Sequence, residues 1–357
     1  MKKRVLSVLS AAVMAAAMIL TGCSGSKASA TTAAPAGTES KSEAAATAAG
    51  TEAKAEETKE AIVVGFSQVG AESDWRTANT ESMKSTFTEA NGYQLIFDDA
   101  QQKQENQLKA VRNFIQQDVD YIVIAPVTET GWDTVLQEAK DAGIPVIIVD
   151  RMIDVSDDSL YTAWVGSNFL QEGYDAVAWL DEYLKKNNRA DEEINLVTIQ
   201  GTIGSSAQIG RTDGVEEKMK EHPKWKMLER QSGEFTQAKG QEVMESFLKT
   251  YDDIDVVIAE NDNMAFGAID AIKAAGKTCG PNGDIIIISF DAVAAAFDSM
   301  IAGDMNVSVE CNPLHGPRVA EIIQKLEKGE SVDKIAYVQE SVYPADTAAA
   351  EKPKRAY

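Results

Sequence analysis

The chain has 357 residues, 44% hydrophobic and 25% charged, and its 34 Lys and Arg against 56 Asp and Glu give a formal charge of −22. That length exceeds one hydrophobic core, so two domains are expected, and the acidity disfavours nucleic acid or anionic lipid as a partner. Three cysteines and two histidines are too few for a disulfide framework or a multi-histidine zinc site, and no cofactor or metal is expected.

Residues 1–23 read as an export signal. Lys2, Lys3 and Arg4 precede an apolar stretch from Val5 to Leu20, which is too short for a membrane span and has signal-peptide proportions. The ending Leu20-Thr21-Gly22-Cys23 resembles a bacterial lipoprotein box, which implies lipidation of Cys23. Residues 24–60 are almost wholly Ala, Thr, Ser, Gly, Glu and Lys, without an aromatic residue. Such a segment buries too little to offset backbone ordering and reads as a disordered tether.

From Ala61 onward short β-branched runs alternate with amphipathic stretches. The runs are Ile62 to Phe66, Tyr93 to Phe97, Tyr121 to Ile124 and Val146 to Val149, then Ile194 to Ile199, Met227-Leu228, Val256 to Ile258 and Ile285 to Ile288. Continuous rather than alternating hydrophobicity indicates parallel strands covered on both faces. Helices are expected at Glu105 to Gln117, Trp132 to Ala142, Ala207 to Lys220 and Met264 to Ala275, with Gly92, Gly143 and Gly276 as stops. This is βαβ architecture. The rhythm breaks once, between Asp154 and Ser167, where Val146–Val149 and Tyr161–Val165 follow each other without a helix. That break is expected to mark a crossing between two similar lobes.

Ligands of parallel sheets bind beyond the carboxyl ends of the strands. The residues standing there are Glu72, Ser73, Asp74, Trp75 and Arg76 after the first run, and Asp150 and Arg151 after the fourth. Arg211 lies on the helix after Ile199, Phe235 follows the Met227 run, Asn261 follows Ile258, and Asp291 follows Phe290. Carboxylates, guanidinium groups, an amide and aromatic faces together suit a neutral polyol. Each hydroxyl both donates and accepts, and ring C–H patches pack on aromatic faces. The number of arginines is expected to hold the carboxylates ionised. Phosphate-loop, dinucleotide, nucleophile-elbow and zincin motifs are absent from the sequence. The loop Gly201 to Gly204 could cradle an anion at a helix start. His222 and His315 are expected to be structural or exposed. Cys279 and Cys311 are left as either a pair or two buried thiols.

At this point the residues resemble a known family, the sugar-binding proteins of bacterial ABC transporters in the ribose-binding class of periplasmic binding proteins, and most of all its galactofuranose-binding members. The resemblance rests on Val64 to Arg76, Gln101 to Val111, Ile124-Ala125-Pro126 with Thr130-Gly131-Trp132, Asp150-Arg151, Gln231 to Phe235 and Gly240 to Leu248. It implies an α/β fold of two Rossmann-like lobes joined by a three-segment hinge, the type I periplasmic binding protein fold. On that pattern residues 61–166 plus 312–340 form the N-terminal lobe, and residues 167–311 plus 341–357 the C-terminal lobe. It also implies a monomeric, extracytoplasmic, lipid-anchored receptor. Such a receptor captures a monosaccharide (galactofuranose or a related aldose) by lobe closure and hands it to an ABC permease. The resemblance assigns Glu72, Trp75, Arg76, Asp150 and Arg151 to one lobe's contacts and Arg211, Phe235, Asn261 and Asp291 to the other's. Two departures stand out. Asp74 replaces a Gly of galactofuranose-binding members, and Cys311 sits where ribose-binding members carry a Gln ligand. Alternatives are a sugar receptor for a sensor kinase or chemoreceptor, a surface glycosidase, and a sugar-responsive regulator, which the export signal opposes.

Overall fold

A computed structural model of the chain describes residues 61–357; the expected signal, Cys23 and tether lie outside the described residues. The first half runs β1 (Ile62–Gln68), α1 (Asp74–Thr86), β2 (Tyr93–Asp99), α2 (Gln104–Gln116), β3 (Tyr121–Ile124), α3 (Asp133–Asp141), β4 (Val146–Val149) and β5 (Ala163–Gly166). It continues with α4 (Phe169–Lys186), β6 (Ile194–Gln200), α5 (Ser206–Met219), β7 (Trp225–Ser232), α6 (Gln237–Thr250), β8 (Val256–Ala259) and α7 (Asp262–Ala274). The rest is β9 (Ile286–Asp291), α8 (Ala294–Ala302), β10 (Val307–Glu310), α9 (Gly316–Glu327), β11 (Ile335–Tyr337), β12 (Val342–Pro344) and α10 (Ala348–Glu351).

These strands form two sheets, ordered β11-β5-β4-β3-β1-β2 and β12-β10-β9-β8-β6-β7. Every pair is parallel except β10–β12 at one edge. Because side chains alternate across a strand, each sheet feeds two apolar clusters. Val123 and Ile147 face one way and Ile122 and Val146 the other; Val197 and Val257 oppose Leu196 and Val256 in the second sheet. Coverage on both faces explains the continuous apolar runs read in the sequence.

Two lobes result, and the chain passes between their sheets three times: after β5, after β10 and after β11. All three passages meet at Glu340, whose Oε1 accepts from Ser167 Oγ at 2.6 Å and from the Asn312 amide at 2.7 Å. The stretch from β4 to β5 holds only a single 3-10 turn, as the break in rhythm anticipated.

Two expectations change. The short run at Met227-Leu228 belongs to an eight-residue edge strand, Trp225–Ser232, whose residues are only partly buried, so its apolar signal is diluted. Gly143 and Gly276 do follow helices in left-handed conformation, at φ 68° and 75°. Gly92 instead closes a 3-10 turn, since α1 already ends at Thr86.

Candidate functional site

Between the carboxyl ends of both sheets lies a small cavity. Glu72, Ser73, Trp75, Arg76, Asp150, Arg151, Arg211, Phe235, Asn261 and Asp291 all line it. Backbone conformation aims several of them. Asp150, Phe235 and Asp291 have positive φ, 62°, 60° and 106°, a costly geometry for side-chain-bearing residues that persists where the surroundings enforce it. Ser73 caps α1 by accepting from the Arg76 amide at 3.1 Å, and Asn261 caps α7 by accepting from the Met264 amide at 2.9 Å. Asn261 therefore caps a helix and lines the cavity as well.

Arg76 organises the first lobe's wall. Its Nε meets Glu72 at 3.0 Å, its Nη2 meets Asp150 at 2.8 Å, and its Nη1 donates to Gln68 at 3.2 Å. Arg151 donates to the Val127 carbonyl at 3.0 Å and lies over the Phe235 ring at 5.1 Å. In the second lobe Arg211 pairs with Glu172 at 2.6 Å and Asp291 at 3.4 Å, and it also donates to the Glu260 carbonyl.

The expectation that arginine would keep every carboxylate ionised fails on one side. Burial opposes the charge of Asp150, yet Arg76 and Arg151 outweigh it and hold the carboxyl below the usual range. Burial wins at Asp291, pushed well above that range although Arg211 pulls the other way, with Asp262, Glu172 and Asp150 adding to the rise. Glu172 is raised by burial against Arg211, and burial pushes Glu260 up to about 7. A guanidinium is a limited counterweight where several acids share it.

Within this wall some acceptors face no protein donor. Glu72 Oε2 is buried there without a hydrogen-bond partner, as is Glu172 Oε1 behind the cavity lining. Asp150 Oδ2 stands close to Arg76 as an ion pair but meets no aligned donor. Buried acceptors left this way are costly unless a ligand supplies the donor.

Asp74 is the exception among the predicted residues. Helical rotation points Trp75 and Arg76 inward and leaves Asp74 exposed outside the cavity. There its amide donates to Asn263 Oδ1 at 3.0 Å, and its Oδ2 accepts from Asn263 Nδ2 at 3.4 Å. With Met152 N to Ser206 Oγ at 2.7 Å and Glu129 N to the Gly204 carbonyl at 3.0 Å, this bond joins the two lobes. The lobes are therefore closed on each other.

Sequence reading missed Phe169 and Ala207 as cavity residues, and it flagged Cys311 only as a departure. Phe169 opens the helix after the first crossing, three residues past the end of β5. In the loop from Gly201 to Gly204 the Gly201 amide donates to the Glu260 carboxyl at 2.7 Å and the Gly204 amide to Gln208 Oε1 at 3.2 Å. A Cβ on Gly201 would fall 1.9 Å from the Phe235 ring, so glycine is needed there for packing. Cys279 and Cys311 are free and buried. His315 is buried against Asn79 at 3.0 Å, and burial pushes its pKa down to about 4, whereas His222 stacks on Trp225. Trp132 is core.

Closed α/β lobes with a polar, aromatic-walled cavity at their strand ends define a solute-binding protein. The chain belongs to the periplasmic binding protein domain family, whose sequence profile matches residues 64–331. It is 45% identical over 298 residues to the galactofuranose-binding protein of Escherichia coli K12, covering 82% of this chain and 91% of that one. A solved structure from Mycobacterium smegmatis in complex with β-D-fucofuranose superposes with TM-score 0.79 at 44% identity, over 83% of this chain and 95% of that one. The periplasmic component of the arabinose ABC transporter of Shewanella sp. ANA-3, bound to α- and β-L-arabinofuranose, gives 0.77 at 45% identity, over 82% and 95%. The first of these is named for binding galactofuranose, and the last is a component of an ABC transporter.

Proposed function

We propose that the chain captures a monosaccharide in furanose form, galactofuranose or a related aldose, and delivers it to an ABC permease. The observation that carries this reading is the cavity wall: an unpartnered buried oxygen of Glu72 and the ion-paired carboxylate of Asp150 stand beside fixed guanidinium donors and the Trp75 and Phe235 rings. Such a wall offers hydroxyls both partners they need and ring C–H groups an apolar face. Furanose ligands in two of the similar structures support the ring form.

The ten strand-end residues are the proposed contacts; Phe169 and Cys311 complete the enclosure. Closure turns on the three crossings near residues 167, 312 and 340, with residues 61–166 plus 312–340 moving against the remainder as one lobe. Only the closed form touches the sugar from both sides, so ligand shifts the population toward it. The receptor acts as a monomer outside the cytoplasm and is held to the membrane through acylated Cys23. Among the described residues no helix is long and apolar enough to cross a membrane. Titration calorimetry with galactofuranose, L-arabinose and D-ribose tests the binding role. Saturable uptake of a furanose-forming sugar supports it, and no heat from any of them at millimolar concentration overturns it. Cys23→Ser should move the protein from the membrane fraction to the soluble one.

A further inference from the structure

The cavity residue Asp291 sits on a two-residue turn in which Ala292 also has positive φ, 57°. Neither residue is glycine, so the turn needs external restraint. Two restraints come from nearby strand and helix: the Ala292 amide donates to Ser308 Oγ and the Val293 amide to Asp262 Oδ2, each at 2.9 Å. Two more come from residues 355–357, more than sixty positions along the chain. Arg355 Nη2 donates to the Ala292 carbonyl at 3.1 Å, and the Ala294 amide donates to the Tyr357 backbone oxygen at 2.8 Å.

Arg355 is itself firmly seated. Its Nη1 reaches Glu310 at 3.0 Å and the Tyr343 hydroxyl at 2.9 Å, and the guanidinium lies over the rings of Tyr343 and Tyr357 at 4.7 and 4.5 Å. The Arg355 and Glu310 side chains are both only 7% exposed. Tyr357 donates to the same Glu310 Oε1 at 2.8 Å, while Oε2 accepts the Ser341 amide at 3.1 Å. Glu310 immediately precedes the second crossing, and Ser341 closes the third.

We propose that Arg355, seated by Tyr357 and Glu310, is a positioning residue for ligand binding. It fixes the Ala292 carbonyl and so aims Asp291 into the cavity, and through Glu310 it ties that turn to two of the three crossings. A planar fork that also stacks on aromatic rings meets a carbonyl, a carboxylate and a phenol at once, which a lysine cannot do. None of these residues touches the cavity, so the role acts through Asp291 and rests on the sugar-binding reading above.

The test has a ligand-free and a ligand-bound arm. In ligand-free protein, Arg355→Gln should speed amide hydrogen exchange at Ala292 and Ala294, while the core of β8 stays protected. In calorimetric titration with galactofuranose or L-arabinose the variant should bind about tenfold more weakly. In an Asp291→Ala background the same change should cost less than about twofold, because the residue being aimed is gone. Tyr357→Phe should shift both readouts the same way by less, and it serves if Arg355→Gln does not fold. Unchanged exchange across residues 291–294, or equal affinity losses in both backgrounds, overturns the proposal. If the unmodified protein takes up no sugar, the functional reading fails on its own, and the exchange data still decide whether Arg355 holds the turn.

Discussion

The two walls of the cavity use the same residue types with opposite electrostatic results. In the first lobe Asp150 stands between Arg76 and Arg151 and is held ionised. In the second, Arg211 alone faces Glu172 and Asp291, and both of those acids are raised. One wall presents an acid shifted toward its charged form, the other acids shifted toward their protonated form. The ratio of guanidinium to carboxyl decides this, because burial penalises every charge alike and only a pairwise counter-ion offsets it.

The largest effect should come from removing the central cation of either wall. Arg76→Ala removes the nearest cation from Glu72 and Asp150 and leaves them only Arg151 at 3.9 Å, and Arg211→Ala takes from Glu172 the guanidinium it pairs with. Each should weaken sugar affinity by roughly a hundredfold or more in calorimetric titration, since uncompensated buried charges cost several kcal/mol. Retained affinity in Arg76→Ala would remove Arg76 from the binding wall. Next come the isosteric acid-to-amide changes, which separate the walls. Asp150→Asn gives up an ionised partner of two arginines and should cost on the order of thirtyfold. Asp291→Asn replaces a carboxyl whose charge burial already opposes and should cost only about threefold at neutral pH. Equal losses in both would break the contrast.

A pH dependence follows, with a definite sign. Glu340 is pushed up to about 8 by burial and then by Glu172, and burial raises Glu260 to about 7. For acids raised in the folded state, the native form binds more protons, so their contribution is fully present below the ordinary carboxyl range. It declines as pH climbs through these folded values. Asp150, held below the ordinary range, contributes above that range and is lost only on strong acidification. Melting temperature should therefore fall between about pH 5 and pH 9, and Glu340→Gln should flatten that fall. A melting temperature flat across this window would contradict the buried protons. The smallest effect belongs to the bond across the cleft mouth: Asp74→Gly should speed sugar dissociation about threefold with little change in association. Asn263→Ala in that background should add a further loss, because the backbone amide at position 74 still donates to Asn263 Oδ1.

Most of the cavity was legible because strand ends announce themselves. A continuous apolar run fixes where a parallel strand stops, and the polar residue after it has few other places to go. That argument located Asp150, Asn261 and Asp291 without any helical phase. It misplaced Asp74 because the neighbours Trp75 and Arg76 differ from it by one step of helical rotation, which a stretch of five polar and aromatic residues does not reveal. Phe169 and Glu172 escaped because α4 follows a crossing rather than a strand end within its own sheet. Strands β11 and β12, three residues each, carry too little periodicity to read. The protonation contrast was illegible for a different reason: Arg211 and Arg76 look alike in sequence, and only their neighbours in space set how many acids each must serve.

Neither sheet is complete in a contiguous stretch of chain. The first takes its outer strand from Ile335–Tyr337, beside β5, and the helix packed against α1 comes from Gly316–Glu327. A chain emerging in order from a ribosome or an export channel thus releases β1 to β5 long before their last partners arrive. The edge of β5 stays unpaired while some 170 further residues follow, and an unpaired edge invites association with other chains. Whereas β10 gains β12 about thirty residues later, the half that emerges first waits longest for its last strand. Its vulnerable period is set by the speed of synthesis rather than by the stability of the final structure.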